Sequence, residues 1–94
     1  MPDIEITSER EEPNAWSYEV RVFADGQTHH FHVRLSWQDY DLWSHGRVSP
    51  SRVVDALFRF LLAREAPEQI LARFDCALVR RYFGDVDREL PALI

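Results

Sequence analysis

Residues Trp16 to Trp37 read W-S-Y-E-V-R-V-F-A-D-G-Q-T-H-H-F-H-V-R-L-S-W, and this stretch decides the fold. Trp16, Tyr18, Val20, Val22 and Ala24 alternate with Ser17, Glu19, Arg21 and Phe23, the period-two pattern of a half-buried strand. Asp25-Gly26 follows, a dipeptide favoured in two-residue type I′ turns because both central positions need positive φ. His29, Phe31, Val33, Leu35 and Trp37 then alternate with His30, His32, Arg34 and Ser36. A turn at 25–26 pairs Ala24 with Gln27, Val20 with Phe31, Tyr18 with Val33 and Trp16 with Leu35. In the same register Glu19 faces His32 and Arg21 faces His30. Every apolar residue except Phe23 falls on one face, and an odd slip would put the two apolar sets on opposite faces. The stretch therefore predicts an antiparallel hairpin with a core face and a polar face.

Working outward, Asp3 to Thr7 reads as a candidate short edge strand, and Thr7 to Asn14 (T-S-E-R-E-E-P-N) as a flexible acidic loop. After the hairpin, Trp37 to His45 is either one short helix or an irregular turn, closed by Gly46. Ser49 as N-cap and Pro50 at the first helical position begin a longer helix. Between Val53 and Leu62 only Asp55 and Arg59 are polar, spaced i,i+4 on one stripe. A helix this apolar has to be covered on most sides. The hairpin covers one side; the C-terminal helices or a second subunit must cover the rest. Pro67 ends that helix or opens the next, with Ile70, Leu71 and Phe74 as one apolar face. Asp75 reads as the N-cap of a further helix carrying Leu78, Val79, Tyr82 and Phe83, stopped by Gly84. Val86 to Ile94 reads as a short helical turn broken by Pro91. The sum is an α+β single domain over residues 1–94. An antiparallel β-hairpin, with a candidate third N-terminal strand, packs on one long apolar helix and two to three short C-terminal helices.

Ninety-four residues suit one domain and leave no room for a second. Hydrophobic residues at 46% and charged residues at 29% are ordinary globular composition, which argues against disorder across the chain. No apolar run approaches a membrane span. Met1-Pro2-Asp3-Ile4-Glu5 has neither a basic region nor an apolar stretch, so no secretory leader is expected. The lone cysteine, Cys76, cannot form an internal disulfide, which suits the reducing cytoplasm. Net charge is −5, concentrated in residues 1–15 at −4, whereas residues 28–64 carry +2. Phosphate neutralisation supplies most non-specific nucleic-acid affinity, so this acidic balance disfavours a nucleic-acid partner.

Few residues are arranged for chemistry. His30 and His32 share a strand face with Glu19 opposite His32, the nearest approach to a zinc set. That face is the solvent face and supplies three candidates at most, so no metal site and no cofactor are expected. Cys76 at a helix start lacks a base partner and reads as a small buried residue. No G-x-S-x-G, P-loop, G-x-G-x-x-G or H-E-x-x-H is present, so no catalytic residue is assigned. Glu11 with Glu12, and Asp85 with Asp87, read as solvated charge. Trp37, Tyr40 and Trp43 cluster where the chain leaves the sheet, as either a core plug or an interaction surface.

Two resemblances follow. His32-Val33-Arg34-Leu35-Ser36, then Gly46 to Leu57, resembles a ribbon–helix–helix repressor or antitoxin over about a third of the chain. That resemblance implies DNA contact by His30, His32 and Arg34 from a dimeric ribbon. Phe58-Arg59-Phe60-Leu61-Leu62-Ala63-Arg64-Glu65, with Ile70-Leu71, Phe74-Asp75 and Arg81-Tyr82-Phe83, is similar to a group of short uncharacterised bacterial proteins, and implies no activity. The residues together predict a cytoplasmic, non-enzymatic protein-interaction domain, homodimeric or bound to another protein, with a DNA-binding regulator as the alternative.

Overall fold

In a computed structural model, which describes residues 3–94, the chain is an α+β domain of four strands and four α-helices. Strands β2 (Ala15–Ala24) and β3 (Gln27–Ser36) form the hairpin, with Ala24 opposite Gln27, Val20 opposite Phe31 and Trp16 opposite Leu35. Asp25 and Gly26 both have positive φ, 54° and 75°, as a type I′ turn requires. The register derived from the turn dipeptide holds over the full length of both strands.

The N-terminal strand is longer than the sequence suggests. β1 runs from Asp3 to Glu12, so the stretch read as an acidic loop is strand almost to its end. A bulge makes this possible: Ile6 lies opposite Val20 and Ser8 opposite Glu19, leaving Thr7 as the extra residue. Before the bulge Ile4 and Ile6 pack on the core; after it the ladder continues with polar side chains. An edge strand tolerates that, because its backbone pairs on one side only and its side chains find polar partners. Tyr18 donates its hydroxyl to Glu9 at 2.6 Å, and Ser17 donates to Glu12. Pro13 and Asn14 close the turn, with Asn14 at φ 61° in the left-handed position that Asn tolerates.

Helix α1 (Trp37–Ser44) follows β3 without a loop, and Ser36 caps it by accepting from the Asp39 amide at 3.1 Å. α2 (Pro50–Leu62) starts at the expected Ser49 cap, and Asp55 pairs with Arg59 at 2.9 Å. Val53, Val54, Ala56, Leu57, Phe58, Phe60 and Leu61 are all buried within the one chain. The apolar surface of α2 therefore needs no second subunit.

The segment after Pro67 departs from the expected helix face at Ile70, Leu71 and Phe74. Pro67–Gln69 is a single 3-10 turn, and Arg73–Asp75 forms β4, parallel to β3 with Phe74 opposite Val33. Pro67 and the Asp75 cap leave too few residues between them for a stable helix. An extended segment instead satisfies its backbone on β3, where the His32 amide donates to Ala72 at 2.7 Å. Asp75 does act as a cap, accepting from the Ala77 amide, but for a 3-10 turn at Cys76–Leu78 that leads into α3 (Val79–Tyr82). α4 (Val86–Glu89) and a last 3-10 turn (Leu90–Leu93) complete the chain.

The sheet order is β1-β2-β3-β4. Its core face, with Tyr18, Val20, Val22, Phe31, Val33 and Leu35, packs in one cluster with α2 and the C-terminal residues Val79, Val86 and Leu90. Phe31 lies 5.2 Å from Phe58, which lies 6.1 Å from Phe74, joining sheet, helix and the added strand.

Because Gly26 holds a left-handed φ with open space where a Cβ would stand, Gly26→Ala strains backbone alone. The expected loss is about 1–2 kcal/mol in urea unfolding. An unchanged midpoint would mean that the turn is not type I′.

Candidate interaction site

Helix α1 begins where β3 ends, so its first turn carries Trp37 and Tyr40 back to the strand end that bears Trp16. The Trp16 ring lies 6.4 Å from Trp37, inclined at 50°, and 5.3 Å from Tyr40, edge to face at 72°. The Tyr40 hydroxyl donates to the Val48 carbonyl at 2.5 Å and is thereby fixed. Glu11 pairs with Trp16 across the β1–β2 ladder, so its side chain leaves the strand on the face that carries these rings. Glu11, Glu12, Ala15, Trp16, Trp37 and Tyr40 enclose a surface hollow of about 330 Å³. Trp37 is 53% exposed, while Trp16 and Tyr40 are half-buried.

Trp43 does not belong to this surface. It is 1% exposed, because its position on α1 turns the ring into the core. The buried indole N–H needs an acceptor, and Asp87 supplies one at 2.7 Å. Arg80 ties the arrangement together: it donates to both Asp87 oxygens at 2.9 Å and to buried Asp39 at 2.9 Å. Its guanidinium also lies 5.4 Å from the Trp43 ring. Asp87, read from the sequence as solvated, thus clamps α1 to the C-terminal helices and holds the aromatic corner in place. Its neighbour Asp85 pairs with Arg64 at 3.2 Å. The hydrogen bond from Arg80, helped by that from Trp43, holds the Asp87 carboxyl below its ordinary range.

The other candidates lie on the face of the sheet opposite the core. His32 Nδ1 and Glu19 lie 2.6 Å apart, but His30 does not join them. Among the described residues no three His, Cys, Asp or Glu converge as a metal set. Arg34 is held by Asp75 at 2.9 Å and Glu12 at 3.5 Å, and Arg21 by Glu5. β3 is paired with β2 along its whole length and with β4 from His32 to Arg34, so the outer edge beside His32 and Arg34 is already occupied. His29 is half-buried on the core side, 3.5 Å from Glu68, and His45 is the left-handed cap of α1. Cys76 is fully buried; burial, followed by the adjacent Asp75, pushes its thiol well above the usual range. A second hollow, of about 160 Å³, lies among Ile70, Leu71, Phe74, Tyr82 and Phe83, with Leu71 and Tyr82 more than half exposed.

The sequence reading missed Trp16, Glu11 and Glu12 as parts of the corner. The hairpin register already placed Trp16 at the sheet end from which Trp37 departs. The acids were hidden, because their position depends on the bulge at Thr7. No helix among the described residues is long and apolar enough to cross a membrane. The chain matches no family model, no curated protein and no solved structure.

With its pKa depressed in the folded state, Asp87 contributes stability that is complete above the ordinary carboxylate range and is lost as pH falls through the depressed value. Asp87→Asn should therefore cost more in urea unfolding at about pH 6 than at about pH 2. An equal loss at both pH values would contradict the clamp.

Proposed function

We propose that the protein is a non-enzymatic interaction domain of the cytoplasm, and that it meets another protein or a second copy of itself through the aromatic corner. One observation carries this reading: Trp37, on a clamped helix, leaves more than half of its surface in solvent beside the Trp16 and Tyr40 rings. Exposed indoles on rigid elements are the anchors that interfaces favour, because they bring large contact area with little conformational entropy to lose. Trp43, and not Trp37, belongs to the buried core cluster. The chemistry-bearing side chains support a non-catalytic role. Cys76 is buried with a raised pKa, and His32 is bonded to Glu19 on an open sheet face instead of in a cleft.

DNA binding through His30, His32 and Arg34 is the second reading, and the charge balance argues against it. Arg34 already has two carboxylate partners, and Glu5, Glu12, Glu19 and Asp75 pair with cationic or imidazole side chains at this face. A phosphate approaching here meets mostly neutralised cations and anionic neighbours.

Trp37→Ala tests the proposal. Losing the covered half of the ring and its contact with Trp16 should cost about 1–2 kcal/mol in urea unfolding and leave the fold intact, yet the variant should lose the proteins captured by a tagged copy from its own cell extract. Undiminished capture by Trp37→Ala, or salt-sensitive DNA binding abolished by Arg34→Ala, would move the functional surface elsewhere.

A further inference from the structure

The hollow at the corner has a chemistry of its own. Three aromatic rings, with Trp16 inclined to both Trp37 and Tyr40, form its wall, and Glu11 and Glu12 of β1 complete its lining. No basic side chain lines it. Elsewhere the protein places its own arginines over aromatic rings: Arg21 on Phe23, Arg64 on Phe60 at 3.7 Å, and Arg80 on Trp43. Among the described residues no cation stands over Trp16, Trp37 or Tyr40. Glu12 is engaged on the other side by Ser17 and Arg34. The Glu11 side chain, in contrast, makes no hydrogen bond or ion pair among the described residues, and it is exposed.

Indole and phenol faces carry negative quadrupole potential and attract a cation within about 6 Å of the ring centre. An unpaired carboxylate beside them adds a directional acceptor. Of the biological cations, guanidinium fits both features best. It is planar and weakly hydrated, so it stacks on a ring at small desolvation cost, and its fork of N–H donors matches a carboxylate. A lysine ammonium, compact and strongly hydrated, gives up more water for the same contact. The strand leading to the hollow, β1, is itself acidic, and residues 1–15 carry −4, which attracts a basic segment before contact.

We infer that the Trp16–Trp37–Tyr40 hollow is an arginine-binding pocket: it takes the guanidinium of a basic peptide segment, stacked on the rings and hydrogen-bonded to Glu11. This deepens, and rests on, the reading of the corner as the contact surface. It names the partner's chemistry: an arginine-bearing segment.

The test uses the intact protein and Nα-acetyl-arginine amide, whose only charge is the guanidinium, followed by two-dimensional NMR. The indole N–H signals of Trp16 and Trp37 should move to saturation while that of Trp43 stays. The uncharged citrulline analogue should produce no such shift, and the lysine analogue should bind more weakly. Glu11→Gln should weaken binding about fivefold and Trp37→Ala about tenfold. Both positions are exposed, and circular dichroism checks that each variant keeps its fold. No indole shift at about 10 mM probe, equal shifts with citrulline, or unchanged affinity in both variants would each overturn the assignment. If Trp37→Ala nevertheless abolishes capture from the extract, the pocket assignment falls while the contact surface stands.

Discussion

The pairing of Ala24 with Gln27 across Asp25 and Gly26 sets every other neighbour in the sheet. Two consecutive left-handed residues close the turn in a single register, and the two-residue period of a strand carries that register to Trp16 and Leu35. One face then holds Tyr18, Val20, Phe31 and Val33 for α2 to cover, while the other holds Glu19, Arg21, His32 and Arg34. A shift of one residue would put Tyr18 and Val20 on the face opposite Phe31 and Val33. The helices would then meet only half of the present apolar surface, and neither β1 nor β4 would keep both its pairing and its packing.

Two devices convert this one-sided sheet into a defined corner. The bulge at Thr7 inverts the side-chain parity of β1, so the strand that packs Ile4 and Ile6 on the core places Glu11 opposite Trp16. The Thr7 hydroxyl donates to the Glu19 carbonyl at 3.3 Å, a local contact at the point where the ladder is broken. The second device is the Arg80–Asp39–Asp87 group with the Trp43 indole. Burying part of an ion pair is favourable only when its remaining donors and acceptors are met, and here Trp43 and two carboxylates meet them. The consequence is a short helix held at both its polar and its aromatic side, with Trp37 left facing water at its start.

Local signals carried the hairpin and the start of α2: alternation, the Asp-Gly pair, the Ser-Pro cap. Each is complete within a few consecutive residues. Features that depend on distant pairing were not legible. Glu9 and Glu12 look like loop residues because nothing near them shows that Tyr18 and Ser17 will bond to them. Residues 73–75 form a strand only because β3 has a free edge, and three residues carry no period of their own. Trp43 and Asp87 lie 44 positions apart, so a tryptophan that looks available for an interface has its acceptor in a segment that looks solvated. For the cluster Trp37, Tyr40 and Trp43, the sequence placed the rings where the chain leaves the sheet but did not show which of them stay outside.

The most direct measurement is site-specific photo-crosslinking in the cells that make the protein. A benzoylphenylalanine is placed in turn at position 37 in the aromatic corner, position 82 beside the second hollow, and position 30 on the open sheet face. If the corner is the contact surface, position 37 yields a discrete crosslinked species that positions 82 and 30 do not. Crosslinks from position 82 or 30 with none from position 37 would contradict it.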